Sequence, residues 1–563
     1  MKKKLFTSVM AGVLSVSTCF GLVGCGGGGG GGAGANNENT LQIYICNYGY
    51  GYKWLYELIP QFKQQAWVKE KYGVNDKGEA NIDIPTPYKN AENNYAQTMI
   101  EGGAAANVYD LLFTNTAYNN LVFNGNYEEL TPLLSETVPG EGVTVGEKMK
   151  PDILNAHYVV EKTQYDAVNP TKHLFGMPWV DSYESIVVND TLVRQELGSS
   201  FSGYPRTTSE LVSFAESLKV SQASKAEDDR IAPFCFSGGA GYWQPSLQVW
   251  WAQYEGLDTY HDYFRGYDES GRRTADIAKQ KGKLYALEAL ENIIYKTNGY
   301  NHSLTNLMTF SQSQTKFLLR EGFMAPNGDW LENEMQAIAD ENPYKDDKLI
   351  FIKRPIVSAV VEKLDLYVES DEYSDLSAQK KAEYDAKLIE IIDQIDAEKT
   401  YEQAKTAIAG LTQHDYDKVY AARYTSSGHN DYSVYIPSYA SAKGLAKDFL
   451  LFMSTDTAIK TYMKANNGCT TPYQFDTSKL DFELSPLQKS VAENKKTGYT
   501  LLPMNSFPLN YYGGLIGFPT NNITELLFCA EEAKDRMTAE QVYEADITYT
   551  ARFWDDYMTK TGF

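Results

Sequence analysis

The sequence predicts an α/β protein with mainly parallel sheets. Three observations carry that prediction. Short β-rich runs alternate with helical patterns from residue 41 onward, which is the signature of strand–helix–strand units. The same alternation resumes from residue 184. The composition, 43% hydrophobic and 22% charged over 563 residues, is that of folded protein long enough for more than one domain.

The elements follow in chain order. "LQIYIC" alternates and is β-rich, so it reads as the first strand. The loop "NYGYGY" follows, and "KWLYELIPQFKQQAWVKEKYG" has a helical period. "ANIDIPTPY" reads as a second strand, "NAENNYAQTMIEGG" as a helix stopped by glycine, and "YDLLFTN" as a third strand. Beyond these, "ESIVVND" is a strand and "TTSELVSFAESLKV" a helix with a capping hydroxyl and Glu210 in its first turn. "DIAKQKGKLYALEALENIIYKT" is a long amphipathic helix, and "GFMAPNGDW" runs from strand into loop. Residues 361–413 are dense in Glu, Asp, Lys and Ala and predict an acidic helical hairpin with solvated faces. "YSVYIP" returns to strand and "AKGLAKDFLLFMSTDTAIKTYMKANN" to helix. No internal repeat is evident.

Charge and motifs exclude several functions. The net charge of −22 leaves no basic surface for nucleic acid or for anionic lipid headgroups. The cysteines Cys19, Cys25, Cys46, Cys235, Cys469 and Cys529 form no Cys-x-x-Cys pair. The histidines His157, His173, His261, His302, His414 and His429 show no metal-binding spacing. Neither a Gly-x-Ser-x-Gly elbow nor a P-loop is present; "SGGAG" has no lysine after it. The expectation is a protein without catalytic residues, metal or cofactor.

The N-terminus carries the one membrane signal. Lys2, Lys3 and Lys4 precede an apolar run from Leu5 to Phe20, the pattern of a signal peptide over residues 1–24. Its end, Leu22-Val23-Gly24-Cys25, resembles the bacterial lipobox. That resemblance implies lipidation of Cys25, palmitate-type acylation included, and anchoring at the outer face of the cytoplasmic membrane. Residues 25–40 are then a glycine-rich tether with no apolar anchor. Its fourteen residues Gly26–Asn39 would span roughly 20 Å r.m.s..

Four further motifs resemble family 1 of the extracellular solute-binding proteins, the capture subunits of bacterial ABC importers. In "LFGMPWVDSYESIVVND", Gly176, Pro178, Ile186, Val187 and Asn189 fit the family pattern, while Val188 replaces its usual Tyr. In "YPRTTSEL", Pro205, Thr207, Glu210 and Leu211 match, with Thr208 where Trp is common. "FLLREGFMAPNGDW" supplies Gly322, Met324, Gly328 and Trp330. "AKDFLLFMSTDTAIKTYMKANNGCTTP" is similar to the family's Ala-x-x-Phe-x-x-Phe helix pair ending near Pro472. The resemblance implies two α/β lobes of the periplasmic-binding-protein type, class II-like, around a hinge and a cleft. Lobe one would take 41–181 plus 432–480, and lobe two 182–431 plus 481–563 with the 361–413 insertion. It also implies carbohydrate as solute, permease subunits as partners and a monomeric, lipid-anchored protein.

Ligands of open α/β sheets bind beyond the carboxyl ends of strands. That rule selects Asn47, Tyr48 and Tyr50 after the first strand, Asn115 after the third, and Trp179 and Asp181 at the first crossover. The later loops add Tyr242, Trp243, Asp329, Trp330, Tyr511 and Tyr512. By resemblance, Trp330 and an aromatic of the last loop match positions that stack on sugar. A pyranose offers a C–H face to aromatic rings and hydroxyls to Asp and Asn. Two rival readings stand beside this one, a lipid-anchored glycoside hydrolase and a solute-sensing surface receptor.

Overall fold

The computed structural model describes residues 38–90, 95–105, 107–115, 119–165, 167, 169–339, 341–428, 432–507, 509–510 and 536–562. Cys25, the tether, Tyr511, Tyr512 and Cys529 lie outside the described residues. Glu38–Phe563 forms one compact unit, organised on two main sheets. No helix among the described residues is long and apolar enough to cross a membrane.

Eleven strands are described: β1 Ile43–Cys46, β2 Tyr88–Asn90, β3 Leu111–Phe113, β4 Val159–Val160, β5 Lys172–His173, β6 Met177–Pro178, β7 Glu184–Asn189, β8 Ala232–Phe234, β9 Gly322–Gly328, β10 Leu349–Phe351 and β11 Ser433–Tyr435. The first sheet has the order β2-β1-β3-β11-β6 and the second β10-β7-β9-β8. β4 and β5 make a separate antiparallel pair.

Parallel pairing is confined to β2/β1/β3 and to β8/β9; every other neighbour pair is antiparallel. The sheets are therefore mixed rather than mainly parallel. Consecutive strand–helix–strand units give β1, β2 and β3 their parallel pairing, whereas β10 and β11 return after long excursions to pair antiparallel. β2 is shorter than "ANIDIPTPY" suggests, because Pro85 and Pro87 donate no ladder hydrogen bond. Only isolated bridges, Thr40 to Asp83 and Val74 to Ala80, form upstream of it.

Two cores account for the architecture. The first gathers Ile43, Ile45, Trp54, Phe113, Trp179 and Val180 with Val434, Phe449, Phe452 and Tyr462. Its helix Lys53–Gln64 buries Trp54, Leu55, Leu58, Ile59 and Phe62 at helical spacing. Trp54 stacks on Trp179 at 5.5 Å, with Phe113 and Tyr462 edge-on at 5.2 Å each. The second core holds Ile186, Val188, Phe234, Trp243, Trp250, Trp251, Leu287 and Leu290. Thr207 caps its Thr208–Ser221 helix by accepting from the Glu210 amide.

The acidic stretch departs from a solvated hairpin. Its helix Ala378–Asp396 buries Tyr384, Asp385, Leu388, Ile391, Ile392 and Ile395. These aliphatics belong to the second core. Charged residues cover the opposite face, and that face dominates the composition.

Three chain segments run side by side between the cores. Glu184 N donates to Ser427 O at 3.0 Å, Ser426 N to Tyr499 O at 2.9 Å and Leu501 N to Ser426 O at 2.8 Å. Gly428 has no room for a side chain, since a Cβ there would meet Ser182 O at 2.4 Å. Asp181, on the first of these segments, pairs with Lys150 at 2.6 Å and with Lys495. Burial alone would raise the Asp181 carboxyl, yet the two ammonium groups hold it below the ordinary carboxylate value.

Candidate functional site

A cavity of about 820 Å³ opens between the two cores against this three-segment seam. Glu184, Ser427, Gly428 and Leu501 of the seam form its floor. Tyr48, Trp330, Tyr242, Gln244, Gln248, Thr309 and Phe310 also line it. Glu334, Ser237 and Asn505 add polar atoms. A smaller cavity of about 220 Å³ lies against the same seam at Asp181, Lys150, Lys495 and Thr500.

Two helices deliver one wall by their first turns. The Gln244–Glu255 helix points Gln244 and Gln248, four residues apart, at the cavity, while Trp250 and Trp251 are buried in the core. Thr309 and Gln312 form a capping box, which sets Phe310 at the first helical position beside the opening. The Phe310 ring faces Tyr48 at 6.1 Å between centroids.

Trp330 is placed by its neighbours. A Cβ at Gly328 would stand 2.2 Å from the indole Cζ3, so only glycine lets the ring lie back across the strand end. The ring packs edge-on to Tyr50 at 5.9 Å and belongs to the first core. Asn333 Nδ2 donates to Gly49 O at 2.6 Å, and Lys53 Nζ to Gln336 Oε1 at 2.6 Å. The segment after β9 thus fastens the second sheet to the loop after β1.

Asp329 is the buried centre of that fastening. It has no exposed surface, and Tyr50 Oη donates to its Oδ1 at 2.6 Å. Burial pushes its carboxyl up to about 7, against the hydrogen bonds from Tyr50 and the Tyr183 amide. Tyr48 and Tyr242 are also raised, by burial first and then by the Glu334 carboxylate. Glu334 accepts from Gln314 Nε2 at 2.7 Å, which holds its carboxylate in place.

The residues singled out from the sequence divide accordingly. Tyr48, Tyr242 and Trp330 line the cavity. Tyr50, Trp179 and Trp243 are buried in the cores, where Trp179 Nε1 donates to Thr114 O at 2.9 Å. Asp181 and Asp329 are buried too, one in the ion pairs with Lys150 and Lys495 and one under Tyr50. Asn47 is exposed and Asn115 half-buried, both at strand ends and outside the cavity lining. Sequence reasoning missed Glu184, Gln244, Gln248, Phe310 and Glu334. For Phe310 a signal existed, the Thr309-x-x-Gln312 box before a helical run; for Glu184, inside an apolar strand, none did.

Chemically, the lining offers four aromatic rings, two carboxylates, amides and hydroxyls. No Lys or Arg occurs among the described lining residues. Such a surface suits a neutral or cationic solute with C–H faces and hydroxyl or amino groups, and it disfavours phosphates and carboxylates.

This arrangement of two α/β cores about a seam is the two-lobed fold of the solute-binding proteins. RafE of Streptococcus pneumoniae in complex with raffinose matches with a TM-score of 0.53 at 14% identity, over 91% of this chain and 99% of that one. A chitin oligosaccharide binding protein gives 0.53 at 13% identity, over 91% and 98%. A probable secreted solute-binding lipoprotein from Streptomyces coelicolor gives 0.54 at 12% identity, over 91% and 98%. At such identities the likeness is one of fold. No family model and no curated protein matches the sequence.

Proposed function

We propose that this protein captures a carbohydrate, an oligosaccharide by the size of the cavity, and delivers it unchanged to an ABC importer. The observation that carries the reading is the cavity itself: about 820 Å³ between two lobes, with Tyr48, Tyr242, Phe310 and Trp330 around it and Glu184 and Glu334 beside them. Rings pack on sugar C–H faces, and carboxylates and amides accept or donate to the hydroxyls. Raffinose and chitin oligosaccharide in the relatives of like fold support the same class.

In this reading the lobes are 41–181 plus 432–480 and 182–431 plus 481–563. Solute touching both lobes favours the closed form by its differential affinity for it, and permease subunits then recognise that form. Cys25 carries the lipid and the glycine tether holds a monomeric body at the outer membrane face. Tyr511 and Tyr512 are proposed as further solute contacts. No catalytic role is assigned to any residue.

A thermal-shift screen of the full chain against mono- and oligosaccharides, polyamines and peptides tests this. A binder stabilises the native state by RT ln(1 + [L]/Kd). A shift with one glycan class, the glycan recovered intact, is expected. The two carboxylates in the lining favour one second reading, a polyamine solute, which the same screen would reveal. Hydrolysed glycan would mean a glycoside hydrolase instead.

A further inference from the structure

The 361–413 stretch and the helix Gln413–Tyr424 that follows it bring together three side chains that the solute reading does not use. We propose that Asp365, His414 and Asp415 form a binding site for a zinc-type divalent cation, which ties the start of the insertion to the helix at its end. One ligand atom from each residue lies within 4.8 Å of the other two. His414 Nδ1 is 3.4 Å from Asp365 Oδ1 and 3.7 Å from Asp415 Oδ1. Ligand atoms about 2.1 Å from a tetrahedral zinc stand roughly 3.4 Å apart. The spacing therefore fits one metal ion with little movement, and a water would complete the fourth position.

The carboxylates are held for this purpose by outer partners. Thr412 Oγ1 donates to Asp365 Oδ2 at 2.8 Å, and the Asp365 amide to Asp415 Oδ1 at 2.5 Å. Such outer contacts orient metal ligands and sharpen affinity. Asp415 has no exposed surface, and its Oδ2 meets no hydrogen-bond donor. A buried carboxylate with an oxygen that meets no donor is costly, and a cation bound at that carboxylate offsets the cost. The imidazole nitrogen selects zinc, nickel or copper over calcium and magnesium, which prefer oxygen cages. His414 and Asp415 are adjacent and Asp365 is far upstream, so no motif spacing announces the site.

The test uses the full chain, stripped with a chelator and titrated calorimetrically with ZnCl2 and separately with CaCl2. One equivalent of zinc is expected to bind, and to raise Tm by about 2–4 °C at a hundredfold excess over Kd. His414→Ala and Asp365→Asn should each weaken zinc at least about tenfold. Their side chains are 59% and 54% exposed, so circular dichroism should show both variants folded. His173→Ala, elsewhere in the chain, should bind zinc as the parent does. Absence of saturable zinc binding, zinc binding that survives both substitutions, or calcium binding as tight as zinc would each overturn the proposal.

Discussion

At Asp329 a carboxylate is placed where its charge is least welcome, and pH should report it. The folded carboxyl sits at about 7, above an ordinary value of about 3.9. A raised acid binds its proton more tightly folded than unfolded. Its penalty is therefore absent below about pH 4, grows as pH rises, and is complete above about 7. Asp329→Asn keeps an acceptor for Tyr50 Oη without the charge. We expect the variant to gain stability relative to the parent between pH 4 and 7, by up to about 4 kcal/mol less the cost of an unpaired amide. Parallel Tm curves for the two chains across that range would contradict this. A second residue-scale expectation separates the cleft rings. Phe310 is half-buried at a helix start, so Phe310→Ala should weaken solute about tenfold with Tm unchanged. Trp330 is 6% exposed and part of the first core. Trp330→Ala should lose about 2 kcal/mol of binding and also lower Tm.

Single elements show where a sequence speaks and where it is silent. β1, β3, β7, β9 and β11 fall within the β-rich runs of the sequence, because a short run buried along its whole length is a local signal. The helix Thr208–Ser221 begins at its Thr207 cap for the same reason. For the insertion, composition misleads because it counts charges without regard to face. Apart from the buried Asp385, most of its Lys, Glu and Asp residues stay at the surface of the Ala378–Asp396 helix, while Leu388 and Ile392 are fully buried. Leu388→Ala or Ile392→Ala should therefore destabilise the protein by about 2–5 kcal/mol, readable as an earlier urea transition. A truly solvated hairpin would give less than about 0.5 kcal/mol. The site was legible only in part. Aromatics in glycine-rich loops after strands could reach a cleft, and Tyr48, Tyr242 and Trp330 do. Trp179, Trp243 and Tyr50 share that local signature, yet tertiary packing draws them inward.

At the scale of the whole molecule, function rests on the seam. Asp181 between Lys150 and Lys495, Gly428 against Ser182, and the ladder through Ser426 join the two cores along a narrow line. In the proposed function, rotation about such a line would change the cavity between the cores while leaving each core intact. The contacts of Asp329, Asn333 and Gln336 with Tyr50, Gly49 and Lys53 are made across that same division. None of this was visible in the order of strands and helices, because it arises from segments hundreds of residues apart. The central claim is that this cavity takes a neutral glycan without altering it. The most direct measurement is calorimetric titration of the full chain with neutral oligosaccharides, followed by analysis of the recovered sugar. The account predicts one site, weakened about tenfold by Phe310→Ala, and sugar recovered intact. Binding of polyamines or peptides with no oligosaccharide bound, or cleavage of the sugar, would contradict it.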